Sequence, residues 1–384
     1  MKKATLKLSA LAILLAGATT LAEAQQTASP INVVTTAVPF LRISPDARSG
    51  GMGDLGIATA PDANSAFWNI AKTPFSMNNA GLAVTYTPWL NDLGLNDVYL
   101  ASLAGFYKLD ETQALSLGFR YFSLGNIQFT DASGNMLGSG RPREFSIDGG
   151  YSRKLSAKSG VGVAIRYISS DLANGYSASS GQTYKKGSSV AGDLHYYHQG
   201  TTEAGSGFNW GVTLSNLGAK ISYTSDATQK DYIPANLGVG ATYTKSFDAD
   251  NKITFGLDLN KLLVPTPPAV TDSAGLADYR SKGVVSSWFS SFSDAPGGGS
   301  EEFRELTASL GAEYWYKNQF AVRAGYFYEH PDKGNRKYFT VGAGLKYNMF
   351  GLNFSYLLPS GSGVNRNPLS NTLRFGLSLD IDNK

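Results

Sequence analysis

Cysteine is absent from all 384 residues, and histidine occurs three times. The first absence removes disulfides and thiolate metal sites, so an exported form of this chain must be held by packing or by a membrane. The second leaves little for metal or acid–base chemistry. His195 and His198 lie three apart on a strand-like stretch, where odd spacing sends side chains to opposite faces. His330 stands beside Glu329 in a loop and reads as solvated. Excess charge is also missing: 33 Lys and Arg against 30 Asp and Glu leave a net charge of +3, which indicates no nucleic-acid or strongly acidic partner. Asp248, Asp250 and Asn251 lack the downstream Gly and Glu of a calcium loop and read as a polar turn. Gly342-Ala343-Gly344 has neither the third glycine nor the helix of a dinucleotide site, and no Gly-x-Ser-x-Gly elbow occurs. The sequence therefore offers no catalytic constellation, no metal site and no cofactor motif.

Long apolar runs are missing as well, except at the start. Lys2, Lys3 and Lys7 precede an apolar stretch from Leu8 to Gly17, and Ala22-Glu23-Ala24 fits a small-x-small cleavage site. Residues 1–24 are expected to be a signal peptide, with the mature chain starting near Gln25. A retained anchor would need roughly 18 or more apolar residues, and Thr19, Thr20 and Glu23 interrupt the run. With no cysteine after the cleavage site, a lipid-anchored lipoprotein is excluded. Beyond the signal peptide nothing is long enough for a spanning helix, so membrane residence would require a closed barrel.

What is present is alternation. Leu373, Phe375, Leu377, Leu379 and Ile381 share one face, while Thr372, Arg374, Gly376, Ser378 and Asp380 share the other. Strand-like segments of this kind fall near 80–87, 97–108, 113–124, 143–154, 160–170, 188–198, 207–215, 235–246, 252–261, 303–316, 319–328, 336–347, 349–358 and 371–381. About fourteen strands is an even number, as single-chain bacterial barrels require. Arg120 and Arg166 oppose apolar rows in their segments and are expected to face a polar lumen, because at the bilayer midplane each would cost roughly 2–4 kcal/mol. Short links (110–112, 155–159, 248–251, 317–318, 348) alternate with long ones (125–142, 171–187, 216–234, 262–302, 359–370), and 199–206 is the one long turn. Short periplasmic turns and long external loops give this pattern, which a soluble sandwich or propeller has no reason to show. Tyrosines and tryptophans near segment ends suit the headgroup level, and 43 glycines suit a curved wall with small inward residues.

Residues 25–79 do not alternate. Turn and cap signals at Ser44-Pro45-Asp46, Gly50-Gly51 and Pro61-Asp62 predict short helical stretches around 46–52 and 64–71, and a segment of this size ahead of a barrel belongs in the lumen as a plug. The run from Pro39 through Asp46, Arg48, Gly51, Met52 and Gly53 to Asp54 resembles the N-terminal signature of the PorV/PorQ family. So does the continuation Gly56-Ile57-Ala58-Thr59, Asp62-Ala63-Asn64-Ser65 and Trp68-Asn69-Ile70-Ala71-Lys72, although Asn69-Ile70-Ala71 replaces the usual Asn-Pro-Ala.

The resemblance implies a fourteen-stranded antiparallel transmembrane β-barrel of FadL-like type, spanning residues 80–384, in the outer membrane of a Gram-negative bacterium of the Bacteroidetes. It implies service in type IX secretion: binding the C-terminal signal domains of secreted cargo at a SprA-type translocon barrel, then passing the cargo to a sortase-containing attachment complex. Outer-membrane lipid would be a further partner. From the residues themselves, the long loop 262–302 is the candidate surface, with Trp288, Phe289 and Phe292 expected to bury against either the barrel rim or a partner. Trp89 and Leu90 in the first external loop form a second candidate patch. Two rival functions are carried: a FadL-like transporter of hydrophobic small molecules, and a membrane hydrolase, for which the residues give no support.

Overall fold

The computed structural model describes residues 33–90, 94–130, 133–173, 183–202, 204–226, 229–268, 272–358, 369 and 371–382. The expected signal peptide, the start at Gln25 and most of the 359–370 link lie outside the described residues.

Alternation of side-chain character becomes alternation of burial. Along the last strand Phe375, Leu377 and Ile381 are exposed, whereas Arg374, adjacent to Phe375, is buried. The same inversion holds elsewhere, with Leu117, Ile165, Phe255, Val322 and Leu352 facing outward and Arg120, Arg166, Asp258, Arg323 and Ser355 buried. Apolar outside and polar inside is the arrangement of a wall whose outer solvent is lipid. No helix among the described residues is long and apolar enough to cross a membrane.

The strands are β1 (Ala80–Pro88), β2 (Val98–Lys108), β3 (Gln113–Leu124), β4 (Ile127–Thr130), β5 (Met136–Gly140), β6 (Arg143–Lys154), β7 (Ser159–Asp171) and β8 (Gly187–Gln199). They continue with β9 (Gly207–Gly218), β10 (Asn236–Ser246), β11 (Asn251–Leu262), β12 (Thr307–Tyr316), β13 (Phe320–Tyr328), β14 (Lys337–Tyr347), β15 (Phe350–Leu358) and β16 (Leu373–Ile381). All except β4 and β5 form one closed antiparallel ring of fourteen, sealed by β1 against β16 from Ala80 opposite Ile381 to Tyr86 opposite Phe375. Closure satisfies every backbone edge, the condition for a sheet in lipid. A register shift between Gly192 and Leu194 is the irregularity in the β8–β9 pairing.

The fourteen expected segments are all present, with ends displaced by a few residues. Two features were not anticipated, a hairpin in the 125–142 link and helices in the 262–302 loop, and the short helical stretches expected ahead of the ring are shorter than their spans. The 125–142 link folds into the separate β4–β5 hairpin. Its base is clamped where Asn126 donates through its backbone N and Nδ2 to Asp97 Oδ2 (2.7 and 2.8 Å) and Arg141 Nε donates to Asn126 Oδ1 (2.6 Å). Ahead of the ring, the helical stretches are single turns: α1 (Ala47–Gly50) and α2 (Ser65–Trp68), the latter followed by a 3-10 helix at Ile70–Phe75. The break falls at Asn69, which leaves the helical region (φ −160°, ψ 100°) so that its side chain can cap Ala71 N. The long 262–302 loop carries three short helices, α3 (Ser273–Ser281), α4 (Val284–Ser290) and α5 (Gly299–Arg304). Asp272 caps the first, accepting from Gly275 N at 2.8 Å.

Residues 33–79 run from the loop end of the ring to its turn end. At the loop end Val38, Phe40 and Leu41 pack with Trp89, Val98, Phe122, Ile168, Ile221 and Ile233. At the turn end Asn79 N donates to Ile381 O and Asn79 O accepts from Lys108 N. Between these ends, contacts run to inward side chains all around the ring. Ser102 Oγ donates to Pro45 O (2.6 Å), Arg120 Nη1 to Leu41 O (2.9 Å), Thr242 Oγ1 to Ala58 O (2.9 Å), and Gly53 N to Thr340 Oγ1 (2.8 Å).

Candidate functional site in the lumen and at the external rim

The two stretches of the N-terminal signature, 39–54 and 56–72, fold onto each other. Asp46 is fully buried, accepting from Ser49 N (2.8 Å) and from Trp68 Nε1 (2.6 Å). Arg48 reaches Asp62 Oδ2 at 2.8 Å and Ala60 O at 3.0 Å. Lys72 Nζ donates to Gly56 O (2.6 Å) and Thr59 Oγ1 (2.9 Å). Asn69 Nδ2 is shared between Ile57 O and the wall carbonyl Tyr196 O (3.2 and 3.0 Å). The two stretches of the motif are therefore brought together by polar side chains, several of which meet buried partners.

The same residues tie the segment to the wall. Arg48 makes a forked pair with Glu313 of β12, Nε to Oε2 at 3.0 Å and Nη2 to Oε1 at 2.8 Å, and Glu313 also accepts from Arg323 Nε of β13 at 2.7 Å. Asp258 of β11 accepts from Gly56 N and Ile57 N (2.7 and 2.9 Å). Tyr338 donates to Asp54 Oδ2 at 2.7 Å, with Arg374 3.7 Å from the other oxygen. Gly51 and Gly53 let the backbone lie against the wall: Gly51 meets Gly342, and a methyl on Gly53 would stand 2.7 Å from Tyr326 N. Met52 is buried beneath Gly311 and Gly325.

Glu313, Arg323, Asp258 and Tyr338 escaped the sequence reading, whereas Asp54 closes the first stretch of the signature. As ionisable residues on alternating strands, Glu313, Arg323 and Asp258 are legible as inward-facing, but the partners of Glu313 and Asp258 in the N-terminal segment lie some 200 or more residues away and only the ring supplies them. A second ladder crosses the wall without the segment: Arg166 pairs with Asp148, Asp193 (2.8 Å) and Asn216. A cavity of about 140 Å³ remains inside, and Arg42, Asp54, Arg120, Arg166, His195 and Tyr338 contribute to its lining.

The histidines stay apart. His195 faces inward beside Asp193, and His198 stacks on Trp210 with ring centroids 5.9 Å apart. His330 accepts from Asp332 N at 3.2 Å. Among the described residues no group of three His, Asp or Glu could hold a metal ion.

The external rim is latched by charge. Lys261 reaches Glu302 and Glu305 (2.8 and 2.6 Å), and Lys333 reaches Glu301 and Glu305 (2.5 and 3.0 Å). Lys220 donates to Arg280 O and Lys282 O, both at 2.8 Å, at the C-terminal end of α3. On this scaffold the candidate aromatics separate. Phe289 is 74 % exposed and Phe292 49 %, and Trp288 is half-buried. Val285, one turn before Phe289 on α4, is exposed too, as is Phe303 on α5. Burial against the rim, one of the two fates expected for these side chains, is thus not that of Phe289. Trp89, in contrast, is only 7 % exposed and meets Phe122 edge-on at 6.3 Å, with Leu90 against the same cluster at φ +56°. Those two residues hold the first loop down rather than offering a free patch.

The model of the family described as type IX secretion system protein PorV matches residues 24–269, well over half of the chain. This chain belongs to the PorV family. It is therefore an outer-membrane component of type IX secretion, consistent with the ring and its apolar outer face. No curated protein sequence matches. Solved structures share the fold at low identity. A mutant of the monoaromatic hydrocarbon channel TodX aligns at TM-score 0.52 and 13 % identity, over 88 % of this chain and 99 % of its own. The Ralstonia pickettii toluene transporter TbuX aligns at 0.51 and 11 %, over 88 % and 98 %. The monoaromatic hydrocarbon channel CymD aligns at 0.50 and 13 %, over 88 % and 98 %. At these identities the likeness is one of fold.

Proposed function

We propose that this barrel collects secreted cargo by its C-terminal signal domain at a SprA-type translocon and passes it to a sortase-containing attachment complex, working through its external face while residues 33–79 remain in the lumen as a plug. Membership of the PorV family carries this reading. The geometry supports it in two ways. The lumen is crossed by the Arg48–Glu313–Arg323 network and the Asp258 and Asp54 contacts, each of which conduction would have to break. At the rim, Phe289 and its neighbours on α4 are exposed on a loop fixed by ion pairs, the pattern of an aromatic anchor awaiting a partner.

Transport of a hydrophobic small molecule is the rival, favoured by the likeness to hydrocarbon channels. Affinity isolation in mild detergent separates the two. A much larger barrel and secreted cargo should accompany the chain, and Phe289→Ala should weaken that association about tenfold, the effect of an anchor worth roughly 1–2 kcal/mol. Isolation of a lone barrel carrying lipid, with secretion intact in a deletion strain, would establish transport instead.

A further inference from the structure

Most cations at the loop end have partners: Arg336 with Glu329, Lys261 with Glu302 and Glu305, Lys333 with Glu301 and Glu305, Arg304 with Asp332. Two on the outer face of the wall do not. Arg143 opens β6, is exposed, and its side chain has no hydrogen bond or ion pair among the described residues. Lys186, just ahead of β8, is exposed with its Nζ 5.5 Å from the centre of the Phe145 ring and no carboxylate on it among the described residues.

Their position sets them apart. Phe145 belongs to a band of outward rings along adjoining strands: Phe119 lies 6.4 Å and Tyr167 6.2 Å from it, and Tyr86, Tyr99 and Tyr121 continue the band at 5.4 and 6.1 Å. Aromatic bands of this kind settle at the headgroup level of a bilayer. Below the band, exposed Leu117, Ile147 and Ile165 face the acyl chains. Above it, Arg143 stands on the same face as Phe145, two residues or about 7 Å farther out, and Lys186 caps the ring itself. Asp171 lies opposite Arg143 in the β6–β7 register, so these three residues sum to one positive charge at the level of the lipid phosphates.

We propose that the outer wall at β6–β8 is a binding site for the phosphorylated headgroup of an outer-leaflet glycolipid. Arg143 and Lys186 contact the phosphate, and the Phe119–Phe145–Tyr167 band takes the first part of the acyl chains. Positive side chains above an aromatic band are complementary to this occupant alone among the solvents the wall meets: acyl chains carry no charge, and water would not require two cations to stand at the outer edge of an aromatic band. The site draws only on residence in the outer membrane, so it is independent of the cargo role proposed above.

The test is native mass spectrometry of the full detergent-purified chain titrated with diphosphoryl lipid A. Arg143→Ala with Lys186→Ala should weaken binding roughly thirtyfold, from about 1 kcal/mol per cation at an anionic surface. Lys158→Ala with Lys245→Ala, at the turn end, should leave it unchanged. Should the double variant fail to assemble, Lys186→Gln alone, at an exposed position, should weaken binding about fivefold. Lipid A stripped of its phosphates should bind no more tightly to the parent than to the variant. Equal binding by parent and variant, equal loss in the turn-end variant, or displacement of lipid A by inorganic phosphate would each overturn the proposal, the last by showing a site for a free anion.

Discussion

Gly53 carries φ +68° where the chain turns under the wall, and a Cβ there would press on the backbone of Tyr326. Gly53→Ala should therefore cost about 2–5 kcal/mol, from the left-handed backbone together with overpacking. The melting temperature of the purified barrel would show the loss, and an unchanged melt would mean the segment can shift away from β13. Arg48 tests the polar side of the same contact. Arg48→Ala leaves Glu313 with Arg323 as its remaining cation and frees Asp62, and breaking a buried pair of this kind costs about 3–5 kcal/mol. Arg48→Met combined with Glu313→Gln should be less destabilised than the sum of the single changes, and strict additivity would show that the two do not act as a pair. At this scale the sequence marked Asp46, Arg48, Gly51 and Gly53 but not why they matter. Their partners Trp68 and Asp62 lie within reach of local reading, whereas Glu313 and Tyr326 do not.

Elements show where local signals suffice and where they mislead. The outward row of β16 is legible because period two is a property of the strand itself. The 262–302 stretch is not, because its Pro and Gly obscure three helices that are each too short to persist alone. The first and last are held from neighbouring strands and loops, α3 at its C-terminal end by Lys220 and α5 by Lys261 and Lys333. The link between β13 and β14 is fastened likewise, by Arg336 bonding both oxygens of Glu329 at 2.7 Å with Arg42 at 3.7 Å. Burial alone would push the Glu329 carboxyl up, but the Arg336 hydrogen bonds and the charges of Arg336 and Arg42 hold it below its usual 4.5. A depressed carboxylate adds stability above the unfolded value of 4.5 and surrenders it as pH falls through the lower folded value. Hydrogen exchange at residues 329–336 should accordingly stay slow near neutrality and accelerate only below that range. In Glu329→Gln it should already be fast at neutral pH, and exchange indifferent to both changes would remove the clamp from the account.

For the whole molecule, the decisive quantity is which face meets lipid. Leu377 is half-exposed on the outer face of β16, the strand that closes the ring. Leu377→Arg should cost roughly 2–4 kcal/mol at depth and reduce the heat-modifiable, folded form on gels. Ser378→Arg, one step along and on the inner side, should be tolerated better despite its greater bulk. Equal effects would sink the facing assignment.

From sequence alone, strand number, facing and the long-short rhythm of links were fixed, because each depends on neighbours one to a few residues apart. Only the closed ring decided that Arg48 meets Glu313, that Trp89 is buried while Phe289 is not, and that Lys186 stands over the Phe145 ring. Those outcomes depend on which strands stand side by side, and closure relates residues hundreds of positions apart that no local periodicity can connect.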